Sequence, residues 1–188
     1  MKKISLFLIT ILMLTVSILA QVADSVRVSV TVQGTVFALG LQDSNGAPWS
    51  GDMNFGDVRP GESAYPPSAL VVAACKSNTG RQWYLKVNSS SLKEPKAGYV
   101  LSPSLLSVYV GDPAERRQPA LPGKRYAPGE LPLKFTNDEL TVYSSNALGD
   151  GGFAGGWGTF VPVGFGLTIP DTQREGTYSG IIRFTMTE

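Results

Sequence analysis

Few side chains in this 188-residue chain are of a type that does chemistry. It has no histidine and one cysteine, Cys75. That removes Ser-His-Asp and Cys-His catalysis, histidine-ligated zinc and an imidazole pH switch, and it leaves no internal disulfide. The acidic residues Asp43, Asp57, Asp112, Asp138, Glu139, Asp150 and Asp171 are scattered through turn-like contexts. A glycosidase needs two carboxylates held about 5–10 Å apart, and neighbours such as Asp138 and Glu139 point to opposite sides of a strand. Asp43, Asn45 and Asp150 lack the loop spacing of a calcium site. Cys75 closes the apolar run Val71-Val72-Ala73-Ala74 and reads as a buried, inert thiol. The expectation is a protein without catalysis, metal or cofactor.

Charge and aromatic residues narrow the partners. With 16 Lys+Arg against 15 Asp+Glu, the chain has no electrostatic basis for nucleic-acid binding. Arg116, Arg117, Lys124 and Arg125 lie in a proline-rich stretch, as either an anion-binding patch or a solvated loop. The glycine-rich stretch 149–158 lacks the Lys-Ser/Thr of a phosphate cradle. Its Phe153 and Trp157 either pack back on the domain or stand exposed for a partner. Together with Trp49, and with Tyr65 and Tyr126 nearby in type, they are the candidate ligand-binding aromatics of a carbohydrate-binding module.

The elements that carry these residues are strands. Val26, Val28, Val30 and Val32 alternate with polar residues, and short alternating runs recur near 36–39, 53–58, 69–75, 83–87, 105–110, 133–135, 140–143, 160–169 and 178–186. A period of two bounded by Gly, Pro and Asn-Gly turns reads as β-structure, and no segment shows a helical period. About eight to ten such strands fit one antiparallel β-sandwich of immunoglobulin-like type, with long Pro-rich (112–132) and Gly-rich loops. Ahead of it, Met1-Lys2-Lys3 and the apolar run to Ala20 form a signal peptide, residues 1–20, leaving 21–188 as a single domain exported from the cytoplasm. The membrane is then met only through the leader, before cleavage. Left exposed, the four valines would forgo about 6–12 kcal/mol, comparable with a domain's total stability of about 5–15 kcal/mol. The row is therefore covered, by pairing within its own domain or by strand addition to the next copy, as in a filament.

Two segments carry a family resemblance. Residues 77–87 place a turn before a strand that opens Trp83-Tyr84-Leu85, and the C-terminus runs Gly176-Thr177-Tyr178-Ser179-Gly180 into a last alternating strand ending Phe184-Thr185-Met186. This resembles the bacterial WxL surface domain and, more loosely, the spore-coat-U and pilin-like secreted sandwiches. The second Trp-x-Leu is replaced here by Phe184-Thr185-Met186. The resemblance implies noncovalent attachment at the cell envelope, with an envelope polymer, another surface protein or copies of itself as partner. The physical reading of Trp83, Leu85, Tyr178, Phe184 and Met186 is core packing.

Overall fold

The computed structural model describes residues 36–49, 51–65, 70–112, 114–115, 123–146 and 158–188. The chain divides into residues 1–32 and 33–188, and everything below concerns the second unit. The valine row, the leader, Arg116, Arg117, Phe153 and Trp157 lie outside the described residues.

The alternating runs form strands β1 (Phe37–Gln42), β2 (Ser63–Ala64), β3 (Leu70–Ser77), β4 (Tyr84–Ser89), β5 (Leu92–Lys93), β6 (Val100–Leu101), β7 (Leu106–Val110), β8 (Ala114–Glu115), β9 (Lys124–Arg125), β10 (Leu133–Lys134), β11 (Leu140–Ser144), β12 (Thr159–Thr168) and β13 (Ile182–Thr187). The first sheet has the order β1-β3-β12-β7-β10, with β2 and β8 pairing the two ends of β12. The second has the order β13-β4-β11-β9, and β5-β6 form a small ribbon. All strand pairings are antiparallel. The architecture is the expected all-β, antiparallel sandwich-like fold.

Period-two burial sets the layers. Val71, Ala73 and Cys75 of β3, Val108 and Val110 of β7, and Val161, Val163 and Phe165 of β12 face Leu85 and Val87 of β4, and all are buried. An aromatic contact joins the sheets: Phe165 of β12 meets Phe184 of β13 edge-on at 6.0 Å and stacks on Phe135, beside β10, with centroids 6.2 Å apart. At the other end Trp83 tilts against Tyr143 at 5.5 Å. The register of β11 on β4 shifts between Thr141 and Tyr143, which lets consecutive Val142 and Tyr143 both be buried.

Local chemistry explains the irregularities. Pro162 sits inside the central strand β12, where a missing N–H normally breaks a ladder. Its position coincides with the end of β7 at Val110, and its carbonyl accepts from Gly111 N–H at 2.9 Å. The expected strand at 53–58 does not form. Gly56 has φ 74° and donates to the Asn54 side chain at 2.8 Å, a local turn that interrupts the alternation. The last strand begins at Ile182 rather than 178. Before it, Ser179 bridges Lys93 of β5, and the chain then moves onto β4. The Asn45-Gly46 turn is present: Gly46 has φ 85°, and the Asp43 carboxylate accepts from Asn45 and Ala47 N–H at 2.9 Å each. Pro128 and the buried Ala127 tie the proline-rich stretch to β7, so its described part is an edge segment.

Candidate functional site

A groove follows from the two irregular segments. Neither 51–60 nor 173–181 belongs to a sheet, and between them opens a groove of about 1260 Å³. One wall carries Trp49, Met53, Phe55 and Val58, the other Gln173 to Ile182, and the floor is core: Val71, Leu101, Leu106, Leu167, Ile169 and Phe184. The second wall is pinned by polar contacts. Tyr178 Oη donates to the Arg174 carbonyl at 2.8 Å and accepts from Gln173 Nε2 at 2.5 Å. The Arg174 guanidinium donates to Tyr99 Oη at 2.9 Å and lies 5.1 Å from that ring's centroid.

Next to the groove run two sheet edges. Asn78 N–H bonds the Val36 carbonyl, so by antiparallel alternation Phe37 and Leu39 turn their backbone groups away from β3. Ser90 N–H bonds the Ile181 carbonyl, so Ile182, Phe184 and Met186 likewise turn theirs away from β4. Among the described residues no strand pairs on either of those sides. The edge of β1 is closed at one end, where Trp49 N–H bonds the Leu41 carbonyl at 2.9 Å.

The three described aromatic candidates, Trp49, Tyr65 and Tyr126, do not converge. Trp49 is half-buried in the groove wall. Tyr65 is 55% exposed and lies on the outer face of the first sheet. Tyr126 is beside β9 with the Lys124 ammonium 4.6 Å from its centroid. Arg125 is paired with Asp112 at 2.8 Å. Of the residues that carry the resemblance, Trp83 and Leu85 are buried at 1% and 0% exposure, so neither can touch a ligand. Phe184, Met186 and Tyr178 are partly buried against the core. Tyr178 differs from the strand-face expectation: it stands in the 173–181 segment as a strut of the groove wall.

Sequence reasoning missed Tyr109. The outward positions of β12 are Phe160, Pro162, Gly164, Gly166 and Thr168, the inward ones being buried in the core. A Cβ on Gly164 would lie 2.1 Å from Tyr109 Cζ, and one on Gly166 would lie 2.1 Å from Tyr65 Cε1. Two tyrosine rings, Tyr109 from β7 and Tyr65 from the residue after β2, thus occupy the places where side chains of 164 and 166 would stand. Alternate glycines inside an otherwise apolar strand were the available signal, since strand glycine often marks a close approach.

No family model and no curated protein matches the chain.

Proposed function

We propose that the protein is a non-catalytic structural or interaction protein of the cell surface, exported by its leader and joined to an envelope component or to further copies through its open side. The observation that carries this reading is the groove of about 1260 Å³ beside two sheet edges that no strand pairs among the described residues. Unpaired backbone groups next to an apolar floor are what strand addition uses: main-chain bonds supply affinity and alternate side chains fill the floor. The near-neutral charge and the partial WxL resemblance support the same reading.

The valine row Val26, Val28, Val30 and Val32, which lies outside the described residues, is the segment we propose for strand addition, in its own copy or in the next.

A second reading, carbohydrate binding by loop aromatics, is favoured by Trp49, Phe55 and Tyr178 lining one groove. Fractionation of expressing cells tests the main proposal. The expected outcome is protein lacking residues 1–20 in the extracellular or envelope fraction, released by denaturant but not by reducing agent. Full-length protein confined to the cytoplasm would sink it.

A further inference from the structure

The outer face of a sandwich sheet ordinarily meets water and is polar. Here the outward row of β12 reads Phe160, Pro162, the ring of Tyr109 and the ring of Tyr65 before it reaches Thr168. Glycines two residues apart are about 7 Å apart along a strand, so the row extends for about 20 Å. Beside it β3 turns Leu70, Val72 and Ala74 outward; the charged residues on this face are Lys76 of β3 and Lys134 of β10, which lies opposite Ser107. Hydroxyls border the row: Ser107 is within reach of the Gly166 position, and Ser63 Oγ shares a hydrogen bond with Thr168 Oγ1 at 2.9 Å. Among the described residues neither the Tyr65 nor the Tyr109 hydroxyl has a hydrogen-bond partner.

Shielding of glycine backbone explains why rings sit there at all. It does not explain a ring left 55% exposed, or phenol groups without a partner among the described residues beside a hydroxyl-bordered apolar row with lysines only at its margins. Such a surface selects a neutral ligand with apolar C–H faces and hydroxylated edges, one that runs straight along the strand. A pyranose chain with equatorial hydroxyls has that chemistry. We propose that the Tyr65–Tyr109 row is a binding face for a β-1,4-linked, equatorially substituted glycan, the sugars stacking on the rings and hydrogen-bonding the phenols and border hydroxyls. This names the partner within the cell-surface reading above and rests on it. It also moves sugar recognition from the loops to the sheet.

Calorimetric titration of the 21–188 protein with cellohexaose and with chitohexaose tests it. Wild type is expected to bind at least one hexamer, with Tyr65→Ala weakening binding by about tenfold or more and Val100→Ala, on the separate β5-β6 ribbon, leaving it unchanged. Tyr65 is exposed enough that its truncation should not unfold the domain, which thermal melting checks. Gly166→Ala, which pushes the ring off its seat, should weaken binding in the same direction. Loss on Trp49→Ala with Tyr65→Ala unchanged overturns the row in favour of the groove. Binding of neither hexamer overturns the proposal, as does self-association lost on Tyr65→Ala, which would assign the face to a second copy. In those cases envelope retention in the fractionation experiment would show that the cell-surface reading survives.

Discussion

Trp83 illustrates how one residue can be read two ways and decided by burial. In the sequence it opens a Trp-x-Leu that could serve partner contact or core. In the fold it is 1% exposed, its ring 5.5 Å from the buried ring of Tyr143, and its backbone N–H donates to Ser145 Oγ at 2.9 Å. Removing a buried indole leaves a large cavity, so Trp83→Ala is expected to cost about 3–5 kcal/mol in denaturant unfolding. An unchanged midpoint would show that the ring is not core. Spacing alone could identify the strand face of Leu85, Phe184 and Met186, because side chains two apart share a face. The role of Tyr178 was not legible that way. Its hydroxyl braces Arg174 and Gln173, contacts within a segment that has no period to read.

At the scale of elements, backbone space is the deciding quantity. The short strand β9 reaches β11 through residues just after Gly123, where a Cβ would lie 2.1 Å from Tyr143 Oη and 2.2 Å from the Ser144 carbonyl. Tyr143 is fully buried and the carbonyl is main chain, so neither neighbour can yield cheaply. Gly123→Ala should therefore destabilise by roughly 1–3 kcal/mol through overpacking. Gly129→Ala, in the same stretch with nothing within 4 Å, should be neutral or slightly stabilising. Equal unfolding midpoints for the two variants would mean that β9 does not dock on β11. The strands β3, β7, β11 and β12 were legible from alternation. The 53–58 run was not correctly read, since Met53, Phe55 and Val58 keep apolar contact with the core while Gly56 breaks the ladder geometry. Apolar spacing reports which side chains are buried, not whether the backbone between them finds a partner strand.

For the whole molecule, Cys75 reports on integrity. It is 1% exposed on β3, opposite Leu39 of β1 on one side and Thr159 of β12 on the other. A thiol so placed reacts only when the structure opens. Labelling by a thiol reagent in native buffer should be at least about a thousandfold slower than in denaturant. Fast native labelling would show that β1 leaves the sheet easily.

What the sequence determined by itself was the class of molecule: period-two alternation and turn residues allow only strands, and the absence of histidine with a single cysteine removes whole chemistries before any coordinate is known. Those are properties of composition and local spacing. What only the tertiary structure decided was where surfaces form. The groove exists because two distant segments, 51–60 and 173–181, both fall out of the ladder on the same side of the core. The ring row exists because Tyr65 and Tyr109, 44 positions apart in the chain, are brought by strand register onto alternate glycines of β12. Register depends on long-range pairing, and no local pattern encodes which two tyrosines will share one strand.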